Sequence, residues 1–330
     1  MIIVTGGAGF IGSNIVASLL ERRPDADIVV CDHLLESEHK YHNLEKHKIR
    51  EVISPDQLLE YLEKHKKEVE VIFHMGAISS TVETNETRIM KNNFDLPLAL
   101  WNWCCKNGVR YLYASSAATY GDGSQGFVDD ESIEYLSSLK PLNLYGQSKN
   151  RFDIEAVSLA AKKKAPIQWA GFKFFNVYGP NEYHKGGQMS VARQMHQQAL
   201  SKGKVRLFKS YRKDYKDGGQ LRDFIYVRDC CDVLLWFYDN KQVSGIFNVG
   251  TGKARSFKDL AAALYKSLGK DKANIEYFDM PEQIRDKYQY FTQASTDKLR
   301  ENGYKKAFTS LEEGVSDYVR NYLNAKDPYR

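Results

Sequence analysis

The glycine run near the start of the chain is the feature that most restricts the fold. The apolar stretch "MIIVT" leads directly into Gly6-Gly7-Ala8-Gly9-Phe10-Ile11-Gly12, and an apolar helical pattern follows. In this context Gly6 permits a tight turn, Gly9 lets the backbone approach a pyrophosphate, and Gly12 lets helix and strand pack closely. The pattern predicts a strand, a turn and a helix that open a βαβ unit with a dinucleotide at the helix N-terminus.

Short β-rich runs alternate with longer helical patterns through the first half of the chain. The runs "DIVVCD", "EVIFHM" and "VRYLYAS" are separated by helical stretches such as "IGSNIVASLLERR". Strands that recur between helices form a parallel sheet, because right-handed crossovers place helices on both of its faces. We therefore predict an α/β fold, namely a Rossmann-type doubly wound parallel sheet with a smaller α/β substrate-binding domain.

The regular alternation loosens after about Asn176, where the glycine-rich "HKGGQ" and the polar "SYRKDYKDGGQ" occur. Two later runs, "RDFIYV" and "GIFNVG", again look like strands, and we expect both to return to the main sheet. The predicted Rossmann domain comprises residues 1–175 and returning segments at about 221–250. The predicted substrate-binding domain comprises residues 176–220 and 251–330.

Charge and cysteine content exclude several classes of partner. The chain has 47 basic and 42 acidic residues, and no nucleic-acid recognition motif accompanies the basic runs, so the net charge of +5 suits an anionic small molecule better than nucleic acid. Glycines interrupt the apolar start too early for a signal peptide or a membrane span. The five cysteines lack metal-ligand spacing, so we predict no metal site, reduced thiols and a cytoplasmic protein.

The second strand of the predicted βαβ unit ends in Asp32, twenty residues after Gly12. A carboxylate at this position pairs with a ribose 2′-hydroxyl and favours NAD. His33, His39 and Lys40 follow it and could instead hold a 2′-phosphate, so the residues leave both NAD and NADP open.

A tyrosine followed four residues later by a lysine occurs twice, as Tyr145/Lys149 and as Tyr322/Lys326. The second pair lies near the end of the sequence, where a frayed helix is the better interpretation. Tyr145 instead begins a helical run after the fourth strand-like segment. An ammonium one turn away would lower the pKa of the phenol from its ordinary value of about 10, so that it could accept a proton from a substrate alcohol. Ser116, at the end of the preceding strand, could hydrogen-bond the developing carbonyl.

Two further cations have both a functional and an ordinary interpretation. Lys185 lies in the glycine-rich loop "HKGG" and could be a second proton donor, with burial lowering its pKa, or simply a lysine that faces solvent. Arg222 could clamp a diphosphate with its planar guanidinium, or form an ordinary salt bridge to Asp223 or Asp229.

The glycine spacing, the strand-end "SS" and the tyrosine helix resemble the extended short-chain dehydrogenase/reductase family and its Ser-Tyr-Lys catalytic set, here Ser116, Tyr145 and Lys149. Dehydratases of that family place an acidic pair after the strand-end residue, whereas Ala117 and Ala118 follow it here. Within the family, "MIIVTGGAGFIGSNIV", "LYASSAATYG", "PLNLYGQSK", "FNVYGPNEYHKG", "RDFIYVRD", "SGIFNVGTG" and "YQYFTQA" resemble the ADP-L-glycero-D-manno-heptose 6-epimerases.

This resemblance implies epimerisation of ADP-heptose at C6 through a transient ketone with bound NADP, Tyr145 and Lys185 being the two acid/bases. It also implies a cytoplasmic enzyme that acts in lipopolysaccharide core synthesis. The resemblance further implies a homo-oligomer, which is a pentamer in that family. A C4 epimerase of another nucleotide sugar, which would need Tyr145 alone, is the alternative. A nucleotide-binding protein without turnover is a further one.

The resemblance also implies two sets of contacts. The coenzyme set is Gly6, Gly9, Phe10, Ile11, Gly12, Asp32, His33, Lys40, Met75, Gly76, Ala77, Ile78, Ser79, Asn92, Tyr145, Lys149 and Val177. The substrate set is Ser79, Ser116, Asn176, Lys185, Gly187, Gln194, Phe208, Lys209, Ser210, Tyr211, Arg222 and Tyr288. Met75 departs from the family, which usually has an acid at that position.

Overall fold

The computed structural model describes residues 1–34, 39–285 and 288–330. Its strands are β1 (Ile2–Thr5), β2 (Ile28–Cys31), β3 (Glu51–Ile53), β4 (Val71–His74), β5 (Arg110–Ser116), β6 (Trp169–Phe174), β7 (Asn176–Tyr178), β8 (Val205–Phe208), β9 (Leu221–Tyr226), β10 (Gly245–Val249), β11 (Ala254–Ser256) and β12 (Ile275–Phe278). Its α-helices are α1 (Phe10–Arg22), α2 (Leu58–Lys64), α3 (Glu86–Met90), α4 (Leu96–Asn107), α5 (Ile133–Ser138), α6 (Leu144–Ala161), α7 (Val191–Lys202), α8 (Val227–Asp239), α9 (Phe257–Ser267), α10 (Glu282–Arg285), α11 (Asp297–Glu301) and α12 (Leu311–Tyr318).

The main sheet has seven strands in the order β10-β6-β5-β4-β1-β2-β3. All six neighbouring pairs are parallel. The strand order therefore reverses between β1 and β4, which opens a crevice at the carboxyl ends of these strands. The predicted Rossmann-type fold is confirmed.

Helices cover both faces of this sheet because the strands are apolar on both sides. Along β1, Ile2 and Val4 belong to one hydrophobic cluster and Ile3 to the other, as the period of two requires. The first cluster includes residues of α1 and α8, and the second includes residues of α2, α4 and α6. The crevice thus lies at the edge of a rigid, doubly covered core.

The second half of the chain builds two small sheets, of order β11-β9-β7 and β12-β8. The expected return of "GIFNVG" to the main sheet is confirmed, since β10 pairs with β6. The expected return of "RDFIYV" is wrong, because β9 pairs with β7 and β11 instead. β7, which follows β6 in the chain, lies outside the main sheet, and its pairing with β9 keeps β9 outside the main sheet as well. The proposed domain boundaries stay a prediction.

No helix in the described ranges is both long enough and apolar enough to cross a membrane. All five cysteines are free thiols, and four of them are buried in the hydrophobic interior.

Candidate active site

A cleft of about 1010 Å³ opens at the carboxyl ends of β1, β4 and β5. The structure brings every residue of the expected coenzyme set to its walls, together with five residues of the expected substrate set. These five are Ser79, Ser116, Asn176, Lys185 and Gly187. The residues thus share one site, while their individual binding roles remain predictions.

The glycine turn forms the floor of the cleft. Gly6 has a φ of +62°, and a Cβ on it would lie 2.6 Å from the Gly76 nitrogen. A Cβ on Gly12 would lie 2.1 Å from the Gly6 oxygen, so both glycines are required by packing. Gly9 is the N-cap of α1 without a side-chain cap, which leaves the helix N-terminus open to an anion. This cradle fits the pyrophosphate of a dinucleotide.

Replacing Gly12 by alanine should weaken both the fold and coenzyme binding. The added methyl meets backbone, which cannot rotate away, and such overpacking costs about 1–3 kcal/mol. A lower urea midpoint and a higher dissociation constant for the dinucleotide are the expected results. The matched control is Gly187→Ala, whose methyl would meet nothing within 4 Å and should leave the urea midpoint unchanged. An unchanged midpoint in Gly12→Ala would contradict the packing argument.

Asp32 connects the glycine turn to the basic segment that follows β2. Its carboxylate accepts from the Ala8 N–H at 3.0 Å and from the His33 N–H at 2.8 Å. Lys40 Nζ lies 3.4 Å from the same carboxylate and also lines the cleft. His39 does not line the cleft. It precedes the 3-10 turn Lys40–Asn43 as its N-cap and has a φ of +51°. A carboxylate and a cation thus lie side by side where the adenosine ribose is expected.

The Ser-Tyr-Lys set is assembled by β5 and the N-terminal turn of α6. Asn143 caps α6 by accepting from the Gly146 N–H at 2.8 Å, which places Tyr145 in the first turn and Lys149 one turn later. Lys149 is buried and donates to the Ala114 carbonyl at 2.8 Å. All three side chains of the set reach the same cleft.

The pKa of Tyr145 lies above its ordinary value, which corrects the expectation that Lys149 would lower it. Burial of the phenol raises its pKa, and the hydrogen bond with the Ser116 side chain only partly offsets this effect. Lys149 is itself affected, since burial lowers the pKa of its ammonium to about 8. Desolvation disfavours the charged forms of both groups, so it raises the pKa of the phenol and lowers the pKa of the ammonium.

A buried ion pair behind this set was missed by the sequence interpretation. Lys173 Nζ lies 2.7 Å from the Asp153 carboxylate, and both side chains are inaccessible to solvent. Asp153 also accepts from Ser115 at 2.6 Å and from Tyr113 at 3.0 Å. These bonds join α6 to β5 and β6 beside Tyr145. Two signals could have revealed the pair: Asp153 follows Lys149 by one helical turn, and a lysine interrupts the apolar run "FKFF".

Lys185 lies in the 3-10 turn Tyr183–Gln188. Its ammonium lies 5.4 Å from the centre of the Phe10 ring, and it lines the cleft. Burial lowers the pKa of Lys185, while the nearby buried carboxylate of Glu182 opposes the shift. Lys185 is therefore a partly buried amine in the cleft, and the interpretation as a lysine that simply faces solvent is wrong.

A second cluster, outside the walls of the cleft, contains other residues of the expected substrate set. The Arg222 guanidinium lies 5.2 Å from the centre of the Tyr288 ring. The centres of the Phe208 and Tyr288 rings are 5.8 Å apart. The Tyr211 N–H donates to the Tyr290 hydroxyl at 2.9 Å. Arg222 lies on β9, and β9 pairs in parallel with β7, whose residues line the cleft. The cluster is therefore joined to the cleft by this strand pair.

Arg222 is 8% exposed, and its side chain donates to the Leu221 carbonyl. The acids suggested as salt-bridge partners are engaged elsewhere, since Asp223 accepts from Thr251 and Asp229 accepts from Thr309. Within the described part of the chain Arg222 has no carboxylate partner, so the salt-bridge interpretation is wrong. Burial lowers the pKa of this guanidinium, which is the expected direction for a cation kept away from water.

The remaining expected residues lie at the periphery. Gln194 donates to the Met189 carbonyl at 2.7 Å beside the Lys185 turn, Lys209 pairs with Asp279 at 3.3 Å, and the Ser210 N–H donates to Asp217. The second tyrosine-lysine pair, Tyr322/Lys326, does not line the cleft.

Comparisons with known proteins agree with this geometry. Residues 2–250 match the model of the NAD dependent epimerase/dehydratase family. A protein of Fusobacterium nucleatum named ADP-L-glycero-D-manno-heptose-6-epimerase is 48% identical over 100% of both chains. The crystal structure of the Helicobacter pylori enzyme of that name has a TM-score of 0.77 at 28% identity and covers 97% of this chain and 95% of its own.

A UDP-N-acetylglucosamine 4-epimerase from Methanobrevibacter ruminantium also shares the fold. Its TM-score is 0.79 at 25% identity, with 97% of this chain and 96% of its own chain covered. The fold is thus common to several epimerases, whereas the high full-length identity is found with the heptose enzymes. The chain belongs to the NAD dependent epimerase/dehydratase family and is closely related to its members named ADP-L-glycero-D-manno-heptose-6-epimerase.

Proposed function

We propose that this protein is a nicotinamide-dependent isomerase that converts ADP-D-glycero-D-manno-heptose to ADP-L-glycero-D-manno-heptose by epimerisation at C6. The observation that carries the proposal is the placement of two ionisable side chains, Tyr145 and Lys185, on the walls of the cleft that begins at the glycine turn. The names of the relatives at 42–48% identity support the same reaction.

The position of C6 explains why two acid/bases are useful. This carbon lies outside the sugar ring, so turning the transient ketone to present its other face moves the oxygen to a new position. A single side chain could not reach both positions. One of Tyr145 and Lys185 takes the hydroxyl proton as the carbinol is oxidised, and the other donates a proton to the ketone oxygen as it is reduced. When bound, the nicotinamide ring supplies reversible hydride transfer.

The burial of Tyr145 and Lys185 is consistent with one of them donating a proton and the other accepting one. Burial raises the pKa of Tyr145 and lowers the pKa of Lys185, so it favours the neutral form of each. The neutral phenol is the acid form of Tyr145 and the neutral amine is the base form of Lys185, so both shifts act in the direction that suits one proton donor and one acceptor. Ser116 hydrogen-bonds to the Tyr145 phenol, and we assign to it the orientation of the sugar oxygen.

The second cluster is suited to the nucleotide end of the substrate. Arg222 is a buried cation that has no carboxylate partner among the residues the structure describes, and its guanidinium lies against Tyr288 and Phe257. A planar fork of this kind binds phosphate oxygens, and the surrounding aromatic rings can stack on a base. We assign the diphosphate to Arg222, and the rest of the ADP to Phe208, Lys209, Ser210, Tyr211 and Tyr288.

The nicotinamide coenzyme follows from family membership, and we propose NADP as the preferred form. Lys40 beside Asp32 gives the adenosine end a cation that a 2′-phosphate would bind. Loss of one charge-assisted hydrogen bond costs about 1.5–3 kcal/mol, so Lys40→Ala should raise the dissociation constant of NADP about 10- to 100-fold with little effect on NAD.

Calorimetric titration of both coenzymes would measure this change in preference. Lys48→Ala, an exposed lysine outside the cleft, is the matched control. An NADP affinity that is the same in Lys40→Ala and in the wild type would contradict the assignment of Lys40 to the 2′-phosphate.

The reaction itself is tested by following the C6 proton of ADP-D-glycero-D-manno-heptose by NMR, with purified protein and no added reductant. Conversion to a mixture of both C6 epimers is the expected result. An unchanged substrate with folded, coenzyme-loaded protein would overturn the proposal. C4 inversion of another nucleotide sugar under the same conditions would instead support the alternative epimerase.

We further propose that the protein acts as a cytoplasmic homo-oligomer in lipopolysaccharide core synthesis. Family resemblance supports this part of the proposal. Sedimentation equilibrium would measure the number of subunits, and a monomer at micromolar concentration would contradict it.

A further inference from the structure

Asn181 occupies an unusual position just before the turn that carries Lys185. It is completely buried, and its φ of +71° is one of three positive values at non-glycine residues in the described ranges. Such a conformation is disfavoured for a residue with a side chain, so the surroundings must hold it in place.

Three hydrogen bonds tie Asn181 to separate parts of the chain. Its side-chain nitrogen donates to the Ser13 hydroxyl of α1 at 3.1 Å, and its side-chain oxygen accepts from the Arg330 N–H at 2.9 Å. Its carbonyl accepts from the Asn43 side chain at 3.2 Å. The same Asn43 nitrogen lies 2.8 Å from the Ala8 carbonyl in the glycine turn. Asn181 thus lies between the coenzyme cradle and the Lys185 turn.

Neighbouring contacts reinforce this connection. Asn14 of α1 donates to the Pro180 carbonyl at 2.9 Å, and the Arg330 guanidinium donates to Asn14 and to Ser18 on the same helix. The Tyr183 hydroxyl donates to the Pro328 carbonyl at 2.7 Å. Residues 328–330 therefore form hydrogen bonds both to the Lys185 turn and to α1. The N-terminus of α1 is the expected binding point of the coenzyme pyrophosphate.

We propose that Asn181 is a positioning residue that fixes the Lys185 turn relative to the coenzyme-binding helix, and so sets the distance between the second acid/base and C6. This inference rests on the proposed function. It explains why a buried asparagine is held in a left-handed conformation and bonded to both elements. A displacement of about 1 Å at a reacting group can cost about 100-fold in rate.

The test is Asn181→Gly, which keeps the left-handed backbone and removes the amide. We expect kcat to fall about 10- to 100-fold while the dissociation constants of coenzyme and ADP stay unchanged. Amide hydrogen exchange of residues 182–189 should rise about tenfold in the coenzyme-bound protein, because their anchor is lost. Lys163→Gly is the matched control, since Lys163 has a φ of +60° on the exposed surface and should change neither quantity.

A double-mutant comparison separates positioning from general stability. If Asn181 acts through Lys185, then Asn181→Gly should have no further effect on kcat in a Lys185→Met background. An equal loss in both backgrounds would overturn the proposal, as would unchanged exchange of residues 182–189. Tyr183→Phe removes one bond of the same connection and should produce a smaller change in the same direction, which keeps the proposal testable if Asn181→Gly fails to fold.

The two proposals fail in different ways. A wild-type protein that leaves ADP-heptose unchanged refutes the proposed function. An active wild type together with a fully active Asn181→Gly variant refutes the positioning role alone.

Discussion

Replacement of Tyr145 by phenylalanine is expected to lower kcat by about 10²–10⁴-fold, the usual contribution of a positioned acid/base. The variant loses the only phenolic proton of the Ser-Tyr-Lys set and keeps the ring. Lys149 would keep its bond to the Ala114 carbonyl, and the N-cap of α6 at Asn143 would be untouched. The urea midpoint and the affinity for coenzyme should therefore change little, and the loss should lie in kcat.

The second tyrosine-lysine pair provides a matched control for this variant. Tyr322 precedes Lys326 by the same four residues, lies outside the cleft, and contacts Arg228 at 3.5 Å. Tyr322→Phe should retain wild-type turnover in the same NMR assay. Full activity in Tyr145→Phe, or a comparable loss in Tyr322→Phe, would show that the wrong pair has been assigned.

The second large effect is expected from Lys185→Met, which keeps most of the side-chain volume and removes the amine. Turnover should again fall by about 10²–10⁴-fold, because one of the two oxygen positions of the ketone loses its proton partner. Glu182, which is buried beside Lys185, accepts from Ser190 and from Tyr318 at 2.9 Å. These bonds should hold the turn in place, so coenzyme affinity should remain at the wild-type value.

This variant also distinguishes the proposed reaction from C4 epimerisation. A C4 epimerase needs Tyr145 alone and would keep its chemistry without Lys185. Lys202→Met, at the end of α7 and outside the cleft, is the control and should be fully active. Wild-type C6 epimerisation by Lys185→Met would rule out the two-base mechanism. Loss of activity in Lys185→Met combined with loss in Lys202→Met would point to general destabilisation.

Much of the fold and of the expected coenzyme site follows from local sequence. The turn at Gly6 requires a positive φ, and the approach of Gly12 to the Gly6 carbonyl requires the absence of a side chain. Such demands act over a few residues, so a short pattern is enough to recognise them. The same holds for Tyr145 and Lys149, which one turn of α6 brings to one face of the helix.

Predictions that depend on pairing between distant segments were less successful. The pattern of "RDFIYV" indicates a strand but contains no information on its partner, and the structure pairs it with β7 instead of the main sheet. The pKa of Tyr145 was also misjudged, because helical spacing to Lys149 says nothing of how much water the fold removes from the phenol.

The sequence by itself determined the parallel sheet, the glycine cradle and the identity of the acid/base candidates, because each depends on the chemistry of neighbouring residues. Only the tertiary structure decided what surrounds them. It placed Lys185 in the same cleft as Tyr145, buried Arg222 with no acid partner in the described ranges, put the Asp153–Lys173 pair behind the Ser-Tyr-Lys set, and joined Asn181 to α1. Burial and contacts across more than a hundred residues arise from the packing of whole elements, and a local pattern does not encode them.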